Sequence, residues 1–161
     1  MNEVAIRKPI ALAKAETRQF VTITIDGQSF GIPVLLVHDV LGSQRITRIP
    51  LAPAEVAGSL NLRGRIVTAI DIRRRLGMRE RPADAAPMSV VVEECGELYS
   101  LLVDAVGEVL TLPESDYERH PPTMDPQWRE NSTGIYRLNG QLLVVLDVSR
   151  LLAIGSRAEA A

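Results

Sequence analysis

From Val21 to Ile25 apolar residues alternate with threonine, Val-Thr-Ile-Thr-Ile, the period-two pattern of a strand with one buried face, and Phe20 extends it by one apolar position. Asp26-Gly27 follows, a pair suited to a tight hairpin turn, and Gln28 to Ile32 reads as the returning strand. Pro33 has no amide hydrogen to give to a ladder, so it should end that strand or hold it at an edge. The dense apolar patch Val34, Leu35, Leu36, Val37, Val40 and Leu41 fits a short helix or a strand equally well. Arg65 to Ile70 reads as a buried strand; Asp71 is placed to cap a helix of one turn over Ile72 to Leu76, and Gly77 to stop it. Met78 to Pro87 has no apolar period and marks a surface loop, after which Met88 to Val92 starts another strand.

The pattern then repeats. Gly27, Phe30, Ile32, Val34, Val37, Asp39, Val40 and Leu41 recur as Gly96, Tyr99, Leu101, Val103, Val106, Glu108, Val109 and Leu110, each 69 residues on, as 96 minus 27. A second block, Gly64, Ile66, Val67, Ile70, Asp71, Ile72, Arg74 and Leu76, recurs as Gly140, Leu142, Leu143, Leu146, Asp147, Val148, Arg150 and Leu152, each 76 on, as 140 minus 64. Two copies are too few for a solenoid, so the expected fold class is all-β with short helices, built as two similar small barrels. Barrels of that size have little core of their own and should pack together or exchange strands, leaving a groove at their junction. The expected layout is a tail over 1–17, one domain over 18–152 with pseudo-repeats at about 19–77 and 88–152, and a second tail over 153–161.

Composition narrows the function more than the fold. The chain has 161 residues, 46% of them hydrophobic but only 4% aromatic, so the cores must rest on Val, Leu and Ile. Eighteen basic against twenty acidic residues give a net charge of −2, which provides no field for nucleic acid or anionic lipid. Bases also need aromatic platforms, and few are available. A single cysteine, the lack of a signal-like start and the absence of an apolar run near the roughly 20 residues of a membrane span point to a cytoplasmic protein without direct membrane contact.

Catalytic chemistry finds little material. His38 and His120 are far apart and lack metal-site spacing, and no nucleophile elbow, zinc-protease helix, phosphate loop or dinucleotide turn occurs. Cys95 stands among Glu93, Glu94 and Glu97, which disfavour a thiolate. Arg73-Arg74-Arg75 reads as a solvated helix face rather than an anion site, and Asp71 and Asp147 as helix caps rather than paired catalytic carboxylates. No catalytic, cofactor or metal site is expected. A small-ligand barrel using the groove would need convergent polar groups that are not visible. Asn61-Leu62-Arg63-Gly64 stands apart. Its repeat counterpart, Leu138-Asn139-Gly140, explains Gly64 as turn chemistry but lacks the arginine, which leaves Arg63 as a partner contact or one half of a local salt bridge.

Taken in order, Phe30-Gly31-Ile32, Val37-His38-Asp39-Val40, Thr47-Arg48-Ile49-Pro50, Gly58 with Asn61-Leu62-Arg63-Gly64, Ile70-Asp71-Ile72-Arg73 and Val103-Asp104 through Glu108-Val109 resemble the CheW family of chemotaxis coupling proteins, from about Phe20 to Leu152. The resemblance implies two intertwined five-stranded SH3-like barrels that act without catalysis or cofactor. It implies an adaptor between the cytoplasmic tip of methyl-accepting chemoreceptors and the regulatory domain of the histidine kinase CheA, held at membrane-bound receptor arrays through these partners. A pilus-motility or other chemosensory pathway is the alternative setting. By position, Val37, Asp39 and Val40 resemble the kinase-binding segment, and Gly58, Asn61, Leu62, Arg63, Gly64, Ile66, Asp104 and Val106 the elements that couple receptor and kinase. The apolar members, Val37, Val40, Ile66 and Val106, could equally fill cores.

Overall fold

The computed structural model describes residues 16–154; the expected tails fall mostly outside that range. The chain is mostly strand. The first half contains β1 (Thr17–Ile25), β2 (Gln28–Pro33), β3 (Val37–Leu41), β4 (Val56–Leu62), β5 (Arg65–Asp71) and the short helix α1 (Ile72–Arg75). The second contains β6 (Met88–Glu94), β7 (Glu97–Val103), β8 (Ala105–Pro113), α2 (Pro126–Glu130), β9 (Ser132–Leu138), β10 (Gln141–Leu146) and α3 (Val148–Leu151). The ambiguous patch after Pro33 resolves into both forms: Val34–Leu36 is one 3-10 turn, and β3 starts at Val37. Pro33 does end its strand.

The strands form two five-stranded sheets, ordered β8-β1-β2-β10-β9 and β3-β6-β7-β5-β4. Advancing every strand of the first sheet by five places, cyclically, gives the second, so the sheets express the sequence repeat. Each sheet draws strands from both halves: β3 lies beside β6, β8 lies beside β1, and the halves are stitched by the parallel pairs β2 with β10 and β5 with β7. Crossing strands between sheets lets a short duplicated sequence bury one shared core. Ile23, Phe30, Ile70, Val90, Leu101, Ile135 and Val144 lie together in it, with 0–3% exposure. Ile154 also packs there, beyond α3.

Each sheet curls until the chain just past one edge strand reaches the other edge. Thr47, after β3, exchanges two backbone hydrogen bonds of 2.8 Å with Ser59 of β4; Glu118, after β8, exchanges two of 2.9 Å with Ile135 of β9. Glycine is required at both closures. A Cβ on Gly58 would lie 2.2 Å from the Thr47 carbonyl oxygen, at a φ of +152°, and one on Gly134 would lie 2.6 Å from that of Glu118.

The caps match their sequence reading. The Asp71 side chain accepts from the Arg73 amide at 3.0 Å, the Asp147 side chain from that of Arg150 at 3.2 Å, and Gly77 follows α1 at a φ of +68°. The arginine run does not. Arg73 and Arg75 are buried rather than solvated, because α1 sits at the junction of the two halves. Arg75 donates to the Leu151 and Arg150 carbonyls at 3.0 and 2.8 Å, satisfying acceptors at the end of α3, and Arg74 alone faces water, paired with Glu80 at 2.6 Å.

Candidate docking site where two sheet edges meet

The β4–β5 hairpin turns through Arg63 and Gly64, at φ values of 52° and 85°, between the paired residues Leu62 and Arg65. Asn61 steadies it, its side-chain oxygen accepting from the Gly64 amide at 2.9 Å. Asp26-Gly27, Cys95-Gly96 and Asn139-Gly140 adopt the same left-handed pair of values. Asn and Asp tolerate the first position through local polar contacts; an arginine there costs about 1 kcal/mol relative to them. The protein therefore holds Arg63 at a position where its own repeat uses asparagine.

Closure of the second sheet brings this hairpin to β3, although β3 and β4 are opposite edges in strand order. A bulge between Val37 and Asp39 interrupts the pairing of β3 with β6. The Asp39 carboxylate accepts from the Val40 amide at 2.8 Å and meets the Arg63 guanidinium at 3.3 Å. The local salt bridge left open by the sequence thus exists. With Arg63 77% and Asp39 26% exposed, it is worth at most about 1 kcal/mol after solvent screening, and most of the guanidinium surface is open to a partner.

Val37 is half-buried against the main core, Val40 is exposed, Asn61 is exposed, and Ile66, the cross-strand partner of Asn61, is 72% exposed. Leu62 is buried in a small cluster under the second sheet with Val67, Val91 and Leu102. Val37, Asp39, Val40, Asn61, Arg63, Gly64 and Ile66 thus gather around one joined edge, with Leu62 and Gly58 beneath it as packing and closure. Ile49, within the Thr47-Arg48-Ile49-Pro50 stretch, and Leu51, which sequence reading did not single out, are exposed in the loop before β4 and line a groove of about 730 Å³ with Arg48, Pro53, Asp71 and Arg74. Leu51 has a φ of 64° and is fully exposed, and nothing in its residue type separates it from core leucines.

Asp104 and Val106 belong elsewhere. Val106 is half-buried against the main core on β8, paired with Ile23. Asp104, between β7 and β8 where the chain passes from one sheet to the other, accepts from the Asp26 amide at 2.7 Å and from Arg73 Nε and Nη2 at 3.1 and 2.5 Å, with Arg81 at 3.4 Å. Burial opposes ionisation of its carboxyl, but the Arg73 hydrogen bonds, the Asp26 amide and the charges of Arg73 and Arg81 prevail and hold it below the usual carboxylate range. Arg79 pairs with Asp26 at 2.9 Å, so the loop after α1 is pinned to this network.

Among the described residues no group of three or more His, Cys, Asp or Glu side chains could hold a metal ion, and no helix is long and apolar enough to cross a membrane. Two interlocked β sheets carry exposed apolar side chains around an open ion pair, which makes this edge the candidate docking surface. A family model for the CheW-like domain matches residues 19–155. The chain is 26% identical over 143 residues to the chemotaxis protein CheW of Rhizobium meliloti, covering 89% of this chain and 92% of that one. It is 28% identical over 136 residues to CheW of Klebsiella aerogenes, covering 84% and 82%. The crystal structure of the scaffolding protein TtCheW from Thermoanaerobacter tengcongensis superposes with a TM-score of 0.76 at 29% identity, covering 85% of this chain and 93% of that one. The chain belongs to the CheW family of chemotaxis adaptor proteins.

Proposed function

We propose that this adaptor couples the cytoplasmic tip of chemoreceptors to the regulatory domain of the histidine kinase CheA, working in the cytoplasm at membrane-bound receptor arrays. Val37, Asp39 and Val40 on β3 form the kinase-facing segment, and the Asn61–Gly64 hairpin with Ile66 makes the element that couples it to the receptor. Asp104 and Val106 support that element at a distance, by fixing the passage from β7 to β8. One observation carries the reading: Arg63 occupies a left-handed position that its repeat gives to Asn139, and still presents most of its guanidinium to solvent beside Asp39. Apolar side chains next to an arginine held in a fixed loop have the composition of an interface centre with a polar rim.

Arg63→Asn separates fold from function. The isolated protein should lose no stability in denaturant unfolding and gain up to about 1 kcal/mol, because asparagine suits the turn and the Asp39 ion pair that it removes is worth no more than that strain. Capture of the receptor–kinase complex should weaken about 30-fold, the effect of losing an interface arginine worth roughly 2 kcal/mol. Asp39→Ala should weaken kinase capture without the gain in stability. Undiminished capture of both partners by both variants would reject the assignment.

A further inference from the structure

The repeat allows the two small sheet cores to be compared position by position. Phe20 on β1 pairs with Pro33 and Leu110; Ser89 on β6 pairs with Leu102 and Leu41, each partner shifted by the same 69 residues, so Phe20 and Ser89 are structural equivalents. Tyr136 lies opposite Leu143 as Leu60 lies opposite Val67, and Val145 lies opposite Gly31 as Ala69 lies opposite Ser100. Where the first sheet has Phe20, Tyr136 and Val145, the second therefore has Ser89, Leu60 and Ala69.

The first core is built on rings. Phe20 and Tyr136 pack edge to face with centroids 5.6 Å apart, and Tyr117 adds a second contact to Tyr136 at 5.5 Å. Among the described residues, the small core under the second sheet has no ring. Val91, Leu98 and Leu102, where the first sheet has Thr22, Ser29 and Pro33, restore part of the volume. They do not remove its polar groups. Ser89 and Ser100, 1% and 0% exposed and diagonal neighbours on β6 and β7, both lack a hydrogen-bond partner for their hydroxyls. A buried hydroxyl without a partner loses its hydration with nothing in return. Among the described residues of the ring-built core, only the Tyr136 hydroxyl is in that position, on a side chain whose ring makes two aromatic contacts.

We infer that the two sheets are unequal by construction: the second, which carries the Asp39–Arg63 edge, opens locally more readily than the first, and a partner seated on that edge holds it closed. Opening would hydrate Ser89 and Ser100, whereas opening the first sheet would break its aromatic packing. Opening at the small core leaves the shared core, on the other face of the same strands, in place, the behaviour of a sub-global unfolding unit. A ligand that binds only the closed form suppresses opening by mass action, so the docking edge would be ordered by use. This last step rests on the proposed docking role.

Amide hydrogen exchange on the full chain tests it. Equivalent ladder amides are compared: Leu60 with Tyr136, and Val67 with Leu143. The second-sheet member of each pair should exchange at least about tenfold faster. The double variant Ser89→Ala/Ser100→Ala, which removes both unpaired hydroxyls, should slow exchange in the second sheet by about tenfold and leave the first unchanged; Ser100→Ala alone gives the same sign if the double variant folds poorly. Equal protection of paired positions, or a slowing shared by both sheets, would overturn the inequality. Adding the purified regulatory domain of CheA should slow the second sheet selectively. If the inequality is present but this addition leaves it unaltered, the link to docking fails while the inequality stands.

Discussion

Gly58→Ala should destabilise the protein by about 3 kcal/mol, a large fraction of the stability of a domain this size. Two effects add. The new methyl would stand 2.2 Å from the Thr47 carbonyl oxygen and 2.8 Å from Ile46 Cγ2, and neither can yield freely: the oxygen accepts one of the two closing hydrogen bonds, and Ile46 packs on the second sheet's small core. The backbone would also be held at a φ of +152°, which an alanine resists by roughly 1–3 kcal/mol. Gly64→Ala is the control. Its Cβ would meet nothing within 4 Å, so only the strain of its φ of +85° remains, about 1 kcal/mol. Midpoints of denaturant unfolding should therefore fall in the order parent, Gly64→Ala, Gly58→Ala. Gly134→Ala strikes the equivalent closure through the clash alone, with Tyr117 and the Glu118 carbonyl oxygen and without the backbone strain, so it should also fall below Gly64→Ala. If Gly58→Ala unfolds like Gly64→Ala, the closing bridge between Thr47 and Ser59 carries no stability. Loss of partner capture in Gly58→Ala would reflect failure to bring β3 to β4, not loss of a contact.

That distinction shows where the sequence could be read and where it could not. Hairpins, caps and the duplication were legible because each depends on neighbours: Asp26-Gly27 or Asp71 with the following amides acts over a few residues. The expectation of two five-stranded units was legible from the repeat and the family resemblance. The order of strands was not, because equivalent strands carry equivalent patterns, so nothing local says that β3 leaves its own half to lie beside β6. Arg63 could be singled out by comparing the two copies. Its ion pair with Asp39 could not, since it exists only once the sheet has closed over Gly58. The same limit explains the arginine run. Three consecutive arginines on a short helix look solvated until one knows that the Arg73 partner is Asp104 and that Arg75 reaches the carbonyls of Arg150 and Leu151. Asp104 and Val106 were grouped with Arg63 by resemblance, and the fold places them at the β7–β8 passage instead.

Arg73→Met should cost about 3 kcal/mol at neutral pH, with a pH dependence that identifies the cause. Arg73 is buried and donates through Nε and Nη2 to Asp104 and through Nη1 to the Arg79 and Glu80 carbonyls at 3.0 and 3.3 Å. Methionine fills similar space but leaves the Asp104 carboxylate, itself about three-quarters buried, with only Arg81 and the Asp26 amide. Removing one member of such a pair is expensive chiefly because the other charge stays behind. In the parent protein the folded Asp104 carboxyl lies below its ordinary value of 3.8, despite burial, because the Arg73 and Asp26 hydrogen bonds outweigh it. A depressed folded pKa contributes stability that is fully present above the unfolded value and disappears as pH falls through the folded one. The gap between parent and variant should therefore be full at pH 7 and narrow progressively as pH falls below about 4 and the Asp104 carboxyl is protonated. Asp26 is lowered chiefly by the Arg79 hydrogen bond, which the variant keeps; the Arg73 charge adds a smaller lowering that the variant loses, so most of the pH-dependent difference belongs to Asp104. Unfolding free energies measured in denaturant across that range decide it. A gap independent of pH would assign the loss to packing and to the Arg79 and Glu80 carbonyls, and would remove Asp104 as the anchor of the passage between the sheets.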